Sequence, residues 1–152
     1  MSKAEKTILT VMCLVYKDNM ILMQNRNKRD WQGFTLPGGH VEKEESIVKA
    51  VIREIKEETG LTIFEPKLCG LKQFQTEEDE RYLVLLFKTD KFEGKLSSSD
   101  EGEMLWIDKD KLDDYELVKD FKDLLQVFEQ DYYTEFVYEK SDKQDKWLVK
   151  LY

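Results

Sequence analysis

The residues of this chain best able to do chemistry are three glutamates in one short stretch. Glu54, Glu57 and Glu58 stand at i, i+3 and i+4, and on a helix that spacing stacks three carboxylates on one patch. Like charges so placed repel, which makes a compensating cation their natural partner. Ligands that are all oxygen favour Mg²⁺ or Mn²⁺ over zinc. Arg53 lies one turn before Glu57 and is placed to hold that carboxylate. Pro37, Gly38 and Gly39 precede the glutamates, and glycine permits close backbone approach to a ligand or metal. The competing reading makes the glutamates the solvated face of an amphipathic helix, which is the usual fate of a charge run.

The glutamates need a helix to position them, and the sequence supplies one. Ile47, Val48, Val51, Ile52 and Ile55 recur at helical spacing, so a helix from Glu45 to Thr59 has one apolar stripe for a core. Gly60 suits a left-handed stop. Further along, Glu103 sits at the entrance of a strand, Met104 to Ile107. It is a candidate for a further metal ligand or a general base, against plain solvent exposure. His40 is the only histidine; with no Cys or His neighbour it points to loop packing or a phosphate contact rather than to zinc or catalysis.

Aromatic residues near such a patch have a second use. Trp31 and Phe34 bracket Gln32-Gly33 just ahead of the Pro-Gly-Gly turn, where they either stack on a base or pack the core beneath the loop. Leu117, Phe121, Leu124, Leu125 and Phe128 predict a second amphipathic helix from Glu116 to Gln130. Asp120 lies near its start, placed to read a base edge or, more blandly, to complement the helix dipole.

The remaining segments read as strands. Thr7–Tyr16 and Met20–Arg26 flank Lys17-Asp18-Asn19 as a hairpin whose first strand is central. Leu61–Gln75 is β-prone but interrupted by Pro66, and the apolar run Tyr82–Phe87 predicts a strand covered on both faces. Thr134–Glu139 and Trp147–Tyr152 alternate as a last hairpin around Ser141–Lys146. No internal repeat or second domain emerges, so one domain over 1–152 is expected.

The chain has 152 residues, 41% of them hydrophobic, and a net charge of −8. An acidic surface argues against a nucleic-acid polymer as partner, yet it accommodates a small polyphosphate bridged by a divalent ion. Cys13 and Cys69 form no CxxC pair; buried free thiols in a reducing cytoplasm are the expectation. No apolar run approaches the ~18 residues of a membrane span. The early run Thr7–Tyr16 lacks a small-residue cleavage site, which favours a strand over a signal peptide.

Gly39, Glu45, Arg53, Glu54, Glu57, Glu58 and Gly60 together follow the pattern G-x5-E-x7-R-E-x-x-E-E-x-G. This resembles the signature of the Nudix hydrolases, complete in every position. The resemblance implies an α/β fold of the Nudix type, an α/β/α sandwich with a mixed β-sheet between helices. It also implies that the Gly38 carbonyl with Glu54, Glu57 and Glu58 would hold Mg²⁺ or Mn²⁺, for hydrolysis of a nucleotide diphosphate linkage by an activated water. The general base is left open among Glu57, Glu54 and Glu103.

Within the family the chain is similar to the MutT-type 8-oxo-dGTP diphosphatases, through Trp31-Gln32-Gly33-Phe34, Glu103 ahead of Trp106, and Asp120. In that subgroup, residues at the places of Gln32 and Asp120 help recognise an oxidised purine. The expected substrate is therefore a small-molecule nucleotide, with the oligomeric state open. ADP-ribose hydrolases often carry a proline where this chain has Gln75 and Thr76, and dinucleoside polyphosphate hydrolases a tyrosine in the same region, where the first one here is Tyr82. Both remain alternatives, together with nucleotide-sugar hydrolysis. A nucleotide-sensing module without turnover is a further alternative; it would be expected to have lost a carboxylate or the arginine of the pattern.

Overall fold

A strand that is apolar on both faces belongs in the middle of a sheet, and β1 (Thr7–Lys17) is one. Its Val11, Cys13 and Val15 join one core, while Met12 and Leu14 join another. In the computed structural model, which describes residues 3–143 and 145–152, β1 runs parallel to β7 (Arg81–Thr89), in register from Thr7↔Arg81 to Val15↔Thr89. β7 repeats the pattern, with Val84 and Leu86 in the core of Met12 and Leu14, and Phe87 in the core of Val11 with Leu85 against it. The Tyr82–Phe87 run is thus covered on both faces, as its uninterrupted hydrophobicity predicts.

Beyond β7 lie β6 (Lys67–Gln75), β10 (Glu135–Lys140) and the edge strand β11 (Trp147–Leu151). β6 is antiparallel to β7 and parallel to β10, so the sheet is mixed. The terminal hairpin forms as expected, β10 and β11 pairing from Phe136↔Leu151 to Lys140↔Trp147. Of the Ser141–Lys146 connection, Gln144 lies outside the described residues.

On its other edge β1 changes partner along its length, and this opens the space for a site. β4 (Gly38–His40) pairs with its middle, whereas β2 (Met20–Arg26) meets only Tyr16 and Lys17 at its end. The expected first hairpin is therefore just two partners long. β2 then diverges to pair with β3 (Gly33–Thr35) and β9 (Gly102–Asp108), forming a second wing of the sheet. Pro66 separates β6 from β5 (Thr62–Phe64), which pairs instead with β8 (Lys91–Glu93).

Two helices close the faces. α1 (Ile47–Thr59) buries Ala50, Val51 and Ile55 in the core that holds Val11, Val15 and Phe87. α2 (Phe121–Glu129) buries Phe121, Leu124, Leu125 and Phe128 in the core that holds Met12, Leu86 and Phe136. Each fully buried side chain such as Val51 or Ile55 contributes roughly 1.5–3 kcal/mol. The result is the α/β/α layering with a curled mixed sheet. A 3₁₀ helix, Lys109–Asp114, links β9 towards α2. Among the described residues no helix is long and apolar enough to cross a membrane.

Both helices start later than periodicity predicts. α1 begins at Ile47 because Ser46 is its cap, its hydroxyl accepting the Lys49 N–H at 3.3 Å, which releases Glu45 for another task. α2 begins at Phe121 because the preceding segment pairs with β3: the Phe34 N–H donates to Glu116 O, and the Val118 N–H to Phe34 O. Asp120 then takes φ 63°, a left-handed conformation that breaks any continuation. The Asp120 carbonyl accepts the Leu124 N–H, but its carboxylate accepts no N–H of the first turn, so it is not a side-chain cap of the ordinary kind. Cys13 and Cys69 are both free, the first buried and the second half-buried. Burial pushes the Cys69 thiol up to about 11, which leaves it a poor nucleophile.

Candidate active site

α1 carries its carboxylates to β4, and two glycines make the approach possible. A Cβ on Gly39 would lie 2.3 Å from the Glu54 carboxyl carbon, and one on Gly38 would lie 2.2 Å from the Val11 carbonyl oxygen. At Gly38 the obstacle is backbone and no side chain fits; at Gly39 it is the Glu54 carboxylate, which a side chain would displace. The Gly38 N–H donates to Glu58 Oε2 at 3.1 Å, tying β4 to the far end of α1. Gly60 ends the helix at φ 80°, its N–H donating to Lys56 O, so Glu57 and Glu58 sit in a last turn of fixed geometry.

Arg53 organises the near end. Its Nε and Nη2 bind both oxygens of Glu45, at 2.8 and 2.9 Å, in a forked pair. Nη1 donates to Glu54 at 2.9 Å and to Glu57 at 3.2 Å, and Nη2 also reaches the His40 carbonyl at 3.0 Å. One guanidinium thus joins the β4 turn to three carboxylates. Its hydrogen bonds hold the Glu45 carboxyl down at about 2, while those carboxylates raise its own pKa. His40 serves here through its backbone, and its side chain is exposed.

Glu58 lacks such compensation, and Glu54 shares Arg53 with Glu45 and Glu57. Glu58 is only 5% exposed. Burial pushes it up to about 9, and a hydrogen bond and like charge from Glu101 add to the shift. Glu54 is also raised, first by burial and then by the charges of Glu57 and Glu101, with Arg53 opposing. Three carboxylates therefore meet around Glu58 with too little positive charge among them, and one position requires either a proton or a metal ion. All the donors are oxygens, which fits a hard divalent cation. Among the described residues no group of three or more His, Cys, Asp or Glu is already arranged around an ion position; Glu57 in particular is exposed and turned to Arg53.

One cavity of about 510 Å³ connects this cluster to an aromatic end. Gly38, Gly39, Glu54, Glu58 and Glu101 line the first end, and Trp31, Phe74 and Tyr138 the second. Of the residues expected from sequence, Gly38, Glu54, Glu58 and Trp31 thus face one space. Arg53 binds Glu54 from outside the wall, and Glu57, exposed and held by Arg53, is not part of the wall.

Others stand elsewhere. Glu103 is exposed and opposite Asn25 on β2; the β9 entrance instead brings Glu101 to the cavity. Phe34 is buried in the core, edge-on to Tyr115 at 5.2 Å between ring centroids, so it packs beneath the loop. Gln32 is exposed and is not part of the cavity wall. Asp120 reaches the wall through Tyr138, whose hydroxyl donates to Asp120 Oδ2 at 2.7 Å.

Sequence reasoning missed Glu101, Gln24, Thr35 and Lys72, all of which line the cavity. Glu101 carried no signal apart from its nearness to Glu103. Lys72 did carry one: in β6 it follows Gly70 and precedes Phe74 on the core-facing alternation, where an apolar residue is the norm.

The NUDIX domain family matches residues 6–130. An ADP-ribose pyrophosphatase of Methanocaldococcus jannaschii is 36% identical over 91 residues, covering 59% of this chain and 54% of that protein. An oxidized purine nucleoside triphosphate hydrolase of Danio rerio is 35% identical over 109 residues, covering 69% and 68%. The curated relatives are thus matched over 54–68% of their own length, less than two thirds for the first of them. The crystal structure of a mutator MutT protein from Bacillus halodurans superposes with a TM-score of 0.75 at 25% identity, covering 95% of this chain and 97% of that one.

Proposed function

This chain belongs to the Nudix hydrolase family, and on that footing we propose that it is a single-domain enzyme, over 1–152, that cleaves a nucleoside triphosphate to the monophosphate and diphosphate. Oxidised purine deoxynucleotides such as 8-oxo-dGTP are the preferred substrates. The observation that carries this reading is the continuous cavity, with glycines and carboxylates at one end and aromatic rings at the other. The Danio rerio relative supports the substrate class. ADP-ribose is the second reading, supported by the Methanocaldococcus relative.

Family members use divalent metal ions, and in this chain Glu54, Glu57 and Glu58 with the Gly38 carbonyl would hold Mg²⁺, or Mn²⁺ in its place. The ion supplies charge neutralisation at the diphosphate and a more acidic bound water. The chain's own residues do the rest. Gly38 and Gly39 let β4 lie close against Val11 and Glu54, where an added Cβ would collide. Arg53 holds Glu57, and Glu57 accepts the proton of the attacking water. Glu54 is the alternative base. The part expected of Glu103 falls to Glu101, which shares the cavity with Glu58. Trp31 flanks the base, and Asp120 acts on it through Tyr138.

The test is Mg²⁺-dependent release of nucleoside monophosphate from 8-oxo-dGTP, the ordinary dNTPs, ADP-ribose and a dinucleoside polyphosphate, with pyrophosphate followed alongside for the triphosphates. A kcat/KM for 8-oxo-dGTP well above that for dGTP supports the proposal. Turnover confined to ADP-ribose, which cannot yield pyrophosphate, replaces it with the second reading.

A further inference from the structure

Lys72 is a cation where the fold calls for a hydrophobic side chain. It is 7% exposed and sits in a cross-strand row running Phe136, Lys72, Val84, Thr10, His40 across β10, β6, β7, β1 and β4. Its Nζ lies 5.1 Å from the Phe136 ring centroid, 5.3 Å from Trp31, 5.6 Å from Tyr138 and 6.0 Å from Phe74. Rings at that distance hold an ammonium by their quadrupoles without using its N–H donors. Burial draws the amine down to about 8, with the Asp120 carboxylate opposing, so it stays charged at neutral pH.

Two more buried groups on the same cavity lack partners. Gln24 Nε2 and Thr35 Oγ1 are buried side-chain atoms with no hydrogen bond among the described residues, and their residues are 3% and 1% exposed. Natural folds rarely leave such groups unpaired, so water or a ligand in the cavity completes them. An ammonium, an amide and a hydroxyl thus line one aromatic-walled space and have hydrogen-bond donors to offer. A planar group presenting acceptor oxygens satisfies them. A group presenting an exocyclic amine would meet the Lys72 ammonium donor against donor, since lysine alone of the three has no acceptor to offer.

The row also fixes where that group lies relative to the carboxylates. Lys72 and His40 are three strands apart, about 14 Å at the usual strand spacing of about 4.8 Å. A ligand with phosphates at β4 therefore places its far end near Lys72.

We propose that Lys72, with Gln24 and Thr35, is the selectivity device of this cavity and restricts it to nucleotides whose base carries a ring oxo group at the recognised edge, against the amino-substituted equivalents. This deepens the reading of the protein as a nucleoside triphosphate hydrolase and rests on it.

The sharpest comparison is dITP against dATP, which differ at purine position 6 as oxo against amino. Wild-type kcat/KM for pyrophosphate release is expected to favour dITP at least tenfold, carried by KM. Lys72→Met keeps the volume and removes the charge; it should bring the ratio close to one by raising KM for dITP and relieving the donor clash with dATP. Lys72→Arg should retain part of the preference. A loss shared equally by both substrates, or a ratio unmoved by Lys72→Met, overturns the proposal. The first result would place Lys72 on a phosphate or sugar or give it a structural role.

Product binding supplies a readout without turnover. dIMP should quench the tryptophan fluorescence of the wild type at lower concentration than dAMP, and equal affinities overturn the proposal. Absence of pyrophosphate from every triphosphate, with dIMP still preferred, would instead overturn the assigned reaction and leave the pocket reading standing.

Discussion

Replacing Glu58 by glutamine should strengthen the metal-free protein while weakening its hold on divalent ions. In the fold Glu58 is buried against Glu101 and Glu54 and is pushed up to about 9; in the unfolded chain it returns to an ordinary value near ~4.3. The folded state therefore binds the extra proton over that interval, and stability present below about pH 4 is lost as pH rises through the window towards 9. At pH 7 the gap is about 2.7 pH units, on the order of 4 kcal/mol at ~1.4 kcal/mol per unit, as an upper bound because Glu101 shares the proton.

The amide introduced by Glu58→Gln would mimic the protonated acid. Its carbonyl can still accept the Gly38 N–H, which Glu58 now accepts at 3.1 Å, and its NH₂ can donate to Glu101. Urea unfolding in EDTA is the assay. Glu58→Gln and wild type should be equally stable near pH ~4.5, and the variant should gain by about 2–3 kcal/mol at about pH 7.5. Saturating Mg²⁺ should stabilise the wild type and reverse the order, since only the carboxylate ligates well. A wild-type stability that stays flat from about pH 5 to about pH 8, or a variant equally destabilised at both ends, would refute the account of Glu58.

Three further outcomes test other joints of the site. Glu57→Gln should lower kcat by several orders of magnitude with an unchanged circular dichroism spectrum and melting temperature, because its side chain is exposed and held only by Arg53; retained turnover would remove Glu57 from the reaction. Gly39→Ala puts a methyl group 2.3 Å from the Glu54 carboxyl, so activity should fall at least tenfold through a displaced carboxylate. Rescue of that variant by Glu54→Asp, which shortens the opposing side chain, would show that the collision is the cause. Ile55→Ala empties a fully buried position and should cost about 2–5 kcal/mol, read as a lower urea midpoint at unchanged slope.

The carboxylate end of the site was legible in the sequence because it is built locally. Arg53, Glu54, Glu57 and Glu58 share one helix, and helical spacing alone sets which of them are neighbours. The apolar stripe beside them and Gly60 at the end fix where that helix lies and stops. The aromatic end was not legible, because strands distant in sequence build it: Gln24 from β2, Thr35 from β3, Lys72 from β6 and Tyr138 from β10. Phe34 and Trp31 are near neighbours in sequence and yet divide between core and cavity, a choice made by the pairing of Phe34 with Glu116 and Val118.

Asp120 shows the same division. Hydrophobic periodicity placed it inside a helix, whereas the β3 contact starts the helix just after it and Tyr138 takes its carboxylate. The helix, its charges and the family to which they belong are already present in the order of residues, since all three follow from spacing along one continuous segment. That Glu101 rather than Glu103 reaches Glu58, and that a buried lysine faces the cavity, came from the folded chain alone. The lysine depends on strand register, where a shift of one residue exchanges the two faces of the sheet, and Glu101 stands in the turn just before β9, a loop position that spacing along the chain does not set.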